Sequence, residues 1–350
     1  MFPKVFLGSS MLNVVITGGA GFIGQKLAAE LLRRGKLIGP SGQSEEIGHI
    51  TLFDVVKAAG PQDSRVTTVA GDIGDHAEIL KLIGHNTHSV FHLAAIVSAG
   101  AEADFEGGYR VNLEGTRHVL EACRAITTHT PRMVFASSVA VYGGDDLPKT
   151  VTDQTAQRPT TSYGVQKLSG ELLINDYSRK GFVDGRSIRL PTIMVRPGKP
   201  NKAASTWASS MIREPLSGVD AICPVRPDSP MACLSPRHTI DAFIRAHDLP
   251  AEKFGKDRAL LLSGIRVTAG EMAAAVERAT PSLKGANRKV GTIHWTPDAA
   301  IQKIVDGWPG ATASERAKAM GFTVDASIDE IVQSFIADDL DAQIKSLQSN

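Results

Sequence analysis

Near the start of the chain a largely apolar, β-branched run, LNVVIT (Leu12–Thr17), passes without a linker into GGAGFIG. The next stretch, 25–34, repeats Leu27, Ala28, Leu31 and Leu32 at helical spacing. A strand with no polar alternation is buried, and a glycine turn followed at once by a helix folds the chain back over its face. The alternation continues with HITLFD (49–54), RVTTVAGD (65–72), SVFHLAA (89–95), RMVFASS (132–138) and RSIRLPT (186–192), most of them separated by helical patterns. Repeated βαβ units of this kind imply an α/β fold built on a doubly wound parallel sheet.

Within TGGAGFIG (17–24), Gly18, Gly21 and Gly24 stand at the spacing G-x-x-G-x-x-G. Glycine permits the tight turn and lets backbone N–H groups and the helix N-terminus approach a pyrophosphate. A glycine triplet alone is often only a turn, but a strand before it and a helix after it are the context that dinucleotide binding requires. Asp54 ends the second strand candidate, where a carboxylate accepts from the adenosine ribose hydroxyls and repels a 2′-phosphate, favouring NAD over NADP. It stands later than that pattern expects because 35–48 reads as an enlarged loop, and an ordinary solvated Asp is the other reading. Asp72, after the third strand, is either a partner for the adenine amino group or a simple turn cap.

Tyr163 and Lys167 in SYGVQK are one helical turn apart and project from one face. A phenol with a pKa of about 10 is a poor base near neutrality, but a neighbouring ammonium and a nicotinium ring both favour the phenolate. Tyr163 then accepts a hydroxyl proton, Lys167 donates to the nicotinamide ribose, and Ser138, at the carboxyl end of a strand, orients the substrate oxygen. Singly each has a plainer reading: a half-buried aromatic, a solvated helix face, a strand-end cap. Together with the glycine cradle they form a consistent constellation.

The 350 residues suffice for one domain with a sizeable lobe or for two domains, and 42% hydrophobic with 21% charged residues excludes a disordered chain. A net charge of +1 offers no overall field for a nucleic acid or an anionic membrane, so no such partner is expected. Cys123, Cys223 and Cys233 form neither a paired framework nor a metal spacing, which points to free thiols in a reducing compartment, the cytoplasm. No apolar stretch is long enough to span a membrane, no zinc, P-loop or calcium motif occurs, and no metal is expected. Residues 1–10 read as a dispensable extension, and 11–195 as the nucleotide-binding domain, with 237–264 returning to it. The proline-crowded 196–236 and the largely helical 265–350 read as a loop-rich substrate lobe. Helix starts are visible as capping boxes at Thr268/Glu271 and Ser327/Glu330, and as Thr296 before Pro297.

TGGAGFIG, GDI (71–73), HLAA (92–95), VN (111–112), SSVAVYG (137–143) and YGVQK (163–167) resemble the extended short-chain dehydrogenase/reductases, the epimerase/dehydratase group, across most of the chain. The resemblance implies a Rossmann domain with bound NAD, the catalytic set Ser138, Tyr163 and Lys167, and a smaller C-terminal substrate lobe. It places Phe22, Ile23, Ile73, Leu93, Ala94, Ala95, Asn112, Pro191 and Ile193 with the glycines at the cofactor, and it implies a homodimer through helices of the Rossmann domain. Thr192 stands where many epimerases of the group carry an Asn near a substrate diphosphate. The segment RLPTIMVRPGKPNKAAS (189–205) and the closing GWPGATASERAKAMGFTVDASIDEIV look instead like a branch that oxidises a four-carbon sugar acid at C2. Ser98, Thr192, Arg196, Lys202 and Arg237 are the candidate contacts for such an acid, although a surface position is the ordinary fate of a lone Lys or Arg. A nucleotide-sugar 4-epimerase or dehydratase would use the same constellation. A non-catalytic NAD-binding regulator would be expected to have lost Tyr163 or Lys167.

Overall fold

The computed structural model describes residues 11–57, 59–198 and 205–348. Its centre is an eight-stranded sheet in the order Ala259–Leu261, Asp184–Leu190, Arg132–Ser138, Ser89–His92, Leu12–Thr17, Ser44–Asp54, with Lys36–Ile38 and Val66–Ala70 both paired to the last. Every pairing is parallel except that of Lys36–Ile38. The order reverses between Leu12–Thr17 and Ser89–His92, so the carboxyl ends of these two strands open the crevice in which such sheets bind ligands. Leu12–Thr17 is buried at every position but Asn13, as a largely apolar strand between two helical layers must be.

Two elements differ from the sequence reading around this centre. The first helix is Phe22–Arg34 and so starts inside the glycine segment. The stretch 35–48 is no enlarged loop: Lys36–Ile38 runs antiparallel to Ser44–Asp54, with Lys36 opposite Glu46. The Gly, Pro and Ser residues that suggested a loop make the tight turn of this hairpin, where Gly39 donates to the Gln43 carbonyl and Gly42 takes φ +77°.

Pro191, which has no N–H to give the ladder, ends the Asp184–Leu190 strand, and Thr192–Ile193 joins a separate sheet with Pro230–Leu234 and Ile265–Thr268. The proline-crowded region is more regular than its composition suggests. Thr206–Leu216 is a helix that carries Pro215 in its last turn, and Pro236 occupies the first turn of the Pro236–Asp248 helix, where its missing N–H costs nothing. Thr268 and Glu271 form a complete capping box. At Ser327 the box is half made, because Glu330 turns its second oxygen to the Ala326 N–H. Thr296 caps nothing: Asp298 takes the role, accepting from Ala300 and Ile301.

One apolar cluster joins Leu12, Ile16, Leu27, Leu31 and Ile50 to Ile240, Phe243, Leu260, Ala317 and Met320. A second gathers Trp207, Met211, Cys223, Met231, Val267, Met272, Ile331 and Phe335. The three cysteines are buried and unpaired. Thr268→Ala removes the cap of the Ala269–Gly285 helix and is expected to lower the stability of the protein by about 1 kcal/mol in equilibrium urea unfolding.

Candidate active site

The glycine segment is shaped by contacts no side chain would allow. Gly18 takes φ +73°, and a Cβ there would lie 2.8 Å from the Ala94 nitrogen. Gly21 precedes the Phe22–Arg34 helix without offering a side-chain cap, so the first-turn N–H groups are left for a ligand, and Gly24 faces the Gly18 carbonyl. Phe22 and Ile23 are half-buried in that first turn. Asp54 Oδ2 accepts from Ala20 N at 3.0 Å, which ties the strand end to the cradle. This backbone, bare of side chains and backed by a helix N-terminus, fits a dinucleotide pyrophosphate.

Asp72 turns out to hold its own loop. Its Oδ1 accepts from Gly74 N at 2.8 Å, and its other oxygen pairs with Arg110. Burial works against its charge, but these two contacts outweigh burial and keep the carboxyl below the ordinary range. Ile73 is buried in a core cluster with Val119 and Phe135. After Ser89–His92 the chain runs through half-buried Leu93, Ala94 and Ala95 to Ile96, where Asn112 clamps it from both sides of the peptide. The Asn112 Oδ1 accepts from Ile96 N at 2.8 Å, while Nδ2 donates to Ile96 O at 2.9 Å and to Gln166 Oε1 at 2.7 Å. Asn112 thereby fixes the crevice wall to the helix Ser162–Arg179.

That helix starts at Thr161, whose hydroxyl accepts from Gly164 N. Gly164 presses on the turn Val139–Val141: a Cβ there would stand 2.1 Å from the Ala140 carbonyl oxygen. The contact brings Tyr163 within hydrogen-bonding reach of Ser138, whose hydroxyl also accepts from Ala140 N. Lys167, one turn on, is buried, donates Nζ to Ala136 O at 2.8 Å, and lies 4.5 Å from the Phe135 ring centroid and 5.6 Å from that of Tyr163. Burial pulls the Lys167 ammonium down to about 7, against the attraction of Glu171. Burial also pushes the Tyr163 phenol up to about 12, with the Ser138 hydrogen bond pulling the other way. The ammonium expected to favour the phenolate therefore does not offset burial in the protein by itself.

Beneath this set lie groups that the sequence did not single out. Arg189 makes a bidentate pair with Glu171 and donates to Tyr142 Oη at 2.9 Å, and Ser137 donates to Glu171 at 2.5 Å. Glu171 sits one turn beyond Lys167, and Arg189 is the penultimate residue of the largely buried strand Asp184–Leu190; both positions were visible signals. His92 bridges Thr17 Oγ1 at 2.7 Å and Thr116 Oγ1 at 3.0 Å, and burial holds its pKa down to about 3, with Lys167 adding to the effect.

The candidate substrate contacts fare unevenly. Ser98 opens the short helix that comes after Ser89–His92, and Pro191, Thr192 and Ile193 form the link that leaves the main sheet. Arg196 is exposed, with no carboxylate partner among the described residues, and burial and Arg213 lower its pKa. Arg237 must be withdrawn: its fork already holds Asp338, with Nε at 2.7 Å and Nη2 at 2.5 Å from the carboxylate oxygens. Lys202 lies outside the described residues, as do 1–10.

Gly18→Ala combines a strained φ with a clash against Ala94, so NAD binding measured by calorimetry should be lost. Lys167 binds its proton more weakly in the fold, at about 7, than at its ordinary 10.5. Between those values the unfolded chain carries the additional proton, so stability rises with pH, while below about 7 the penalty is complete. Without NAD, the stability of the wild type relative to Lys167→Met should therefore rise between about pH 7 and 10 in urea titrations.

Residues 14–225 match the sequence profile of the NAD dependent epimerase/dehydratase family. The D-erythronate dehydrogenase of Cupriavidus necator is 51% identical over 327 residues, covering 93% of this chain and 98% of its own. That of Haemophilus influenzae is 42% identical over 330 residues, covering 94% and 100%. Among solved structures, a nucleoside-diphosphate-sugar epimerase from Agrobacterium tumefaciens superposes with a TM-score of 0.86 at 38% identity, over 95% of this chain and 96% of its own. An L-threonine dehydrogenase from Cupriavidus necator, 24% identical with a TM-score of 0.77 over 93% and 99%, shares the fold. Glycine cradle, strand-end crevice and full-length likeness agree: the chain belongs to the NAD dependent epimerase/dehydratase family.

Proposed function

We propose that this protein oxidises a small sugar acid, D-erythronate, to 2-dehydro-D-erythronate with NAD as hydride acceptor. The observation that carries the substrate is the likeness, at 51% and 42% identity over nearly the whole chain, to two proteins named for that activity. The chemistry is supported by the packing of Ser138, Tyr163 and Lys167 at one strand end.

In this reading Gly18, Gly21, Gly24 and the N–H groups of Phe22 and Ile23 hold the pyrophosphate. Asp54 accepts from the adenosine ribose, and Asp72 with Ile73 lines the adenine end. Leu93, Ala94, Ala95, Pro191 and Ile193 wall the crevice that Asn112 holds open. Bound NAD supplies the acceptor for the hydride that leaves the substrate carbon. Ser138 donates to the reacting oxygen, Tyr163 Oη takes its proton, and Lys167 donates to the nicotinamide ribose. The C–H and O–H bonds break, a carbonyl forms, and NADH and a proton are released. A phenol at about 12 needs help to act as base, and the positive charges of the nicotinium ring and of a protonated Lys167 favour the phenolate. Ser98, Thr192 and Arg196 are the proposed contacts of the acid, Arg196 being a cation without a carboxylate beside it.

The same reading has 11–195 with 237–264 as the nucleotide-binding domain, and 196–236 with 265–350 as the substrate lobe. It has the enzyme working in the cytoplasm, supported by three buried unpaired thiols. It also has a homodimer, supported by exposed Leu172 on the Ser162–Arg179 helix.

Purified protein with NAD and a panel of aldonates should form NADH with D-erythronate, and Tyr163→Phe should lower kcat/KM by about 10²- to 10⁴-fold. If the aldonates are silent while nucleotide sugars are interconverted without net NADH, the dehydrogenase reading is wrong. The epimerase activity named for the Agrobacterium structure would then replace it.

A further inference from the structure

Away from the crevice, at the start of the Pro236–Asp248 helix, three side chains from separate places in the sequence converge. His238 Nε2 lies 3.8 Å from Asp325 Oδ1 and 3.7 Å from Glu330 Oε1, and the ligating atoms of all three fall within 4.8 Å of one another. We infer that His238, Asp325 and Glu330 form a binding site for a first-row divalent cation of the zinc class.

Asp325 is the observation that points to a ligand. It is 1% exposed, and its Oδ2 is satisfied by Ser235 N at 2.7 Å. Its Oδ1 is buried without a hydrogen-bond partner, and it is aimed at the imidazole from a distance too long for a hydrogen bond. A buried carboxylate oxygen left in this way is costly unless a positive charge meets it, and a cation held between it and the ring supplies one. A zinc ion at its usual bond lengths holds N and O ligands about 3.4 Å apart, so the 3.7 and 3.8 Å separations need only a small closure.

The surroundings prepare the ring for the same task. His238 Nδ1 lies 2.9 Å from Thr323 Oγ1. With the proton on Nδ1 donated to that hydroxyl, Nε2 turns its lone pair toward the two carboxylates, as a metal-bound imidazole requires. Glu330 is anchored through its other oxygen, which accepts from Ala326 N at 2.6 Å. Nearby Arg237 has its fork on Asp338 and makes no ion pair with Asp325 or Glu330. A neutral imidazole and two carboxylates carry two negative charges, matching a divalent ion. One nitrogen with two oxygens suits zinc or its first-row neighbours better than magnesium, which keeps to all-oxygen octahedra. Three protein ligands leave a further position to water on the side where Glu330 is exposed. Such an ion would join the Pro236–Asp248 helix, packed in the first apolar cluster, to the Ile328–Asp338 helix of the second.

The test uses tag-free full-length protein, stripped with chelator and titrated with zinc chloride alone by calorimetry, with thermal unfolding alongside. One zinc per chain should bind and raise the Tm. His238→Gln and Glu330→Gln, whose side chains are partly exposed, should abolish both effects while keeping the wild-type circular dichroism. Asp325→Asn, which preserves an acceptor for Ser235, should do the same. Thr323→Val, altering only the support of the ring, should weaken binding by about 10- to 100-fold. Zinc binding that survives His238→Gln and Glu330→Gln, no zinc binding by the wild type, or equal binding of magnesium would each overturn the assignment.

Discussion

The arrangement of the crevice rests on one close approach of backbone to backbone. Because residue 164 is glycine, the Ser162–Arg179 helix touches the turn at the end of the Arg132–Ser138 strand, with no room for a Cβ against the Ala140 carbonyl. That contact sets the height of the helix along the sheet. The height in turn decides that Tyr163 meets Ser138, that Lys167 reaches Ala136 O, and that Gln166 meets Asn112. The Asn112 clamp carries the constraint on to the Ile96 loop. Helix, strand end and loop are therefore positioned as a unit, by packing and by hydrogen bonds that are at least partly shielded from water.

Charge obeys the same packing. Lys167 is buried where its nearest ring is Phe135 and its hydrogen-bond acceptor is a carbonyl, which accounts for an ammonium that gives up its proton near neutrality. Glu171 is one turn away, but its oxygens are committed to Arg189 and Ser137. A buried Arg–Glu pair recovers its desolvation cost only with every hydrogen bond in place, and Tyr142 and Ser137 complete this one. The network acts as a rigid charged floor beneath Ser138, Tyr163 and Lys167, and among the described residues Lys167 has no direct ion pair.

Legibility in the sequence varied with how local the governing physics is. Leu12–Thr17 and Arg132–Ser138 were readable to the residue, since a run with an apolar centre between turn signals has few alternatives. The glycine cradle was equally plain, because chain geometry there admits little else. The 35–48 hairpin was not, since its second strand opens with SEE, which shows no buried pattern, and its turn residues imitate a loop. Partners distant in sequence were hidden altogether. Nothing near Arg237 announces Asp338, and nothing near His238 announces Asp325 or Glu330. The Glu171–Arg189 pair left a trace, a charge near the end of a strand candidate, but its meaning depends on which helix covers that strand.

The two apolar clusters are not consecutive along the chain. After Asp184–Leu190 the backbone enters the second cluster at Met194, returns to the first from Leu234 to Leu262, goes back at Ile265, visits the first again at Ala317 and Met320, and finishes in the second. Each core is thus completed by residues that arrive only after part of the other has been laid down. No single cut separates these two clusters into fragments that each hold one of them whole, and a chain emerging from the ribosome can close neither of the two until its last tenth or so is available. Interleaving of this kind binds the fate of one cluster to that of the other: the protein is expected to unfold as one cooperative unit, and a lesion in the closing helices is felt at the opposite end of the sequence.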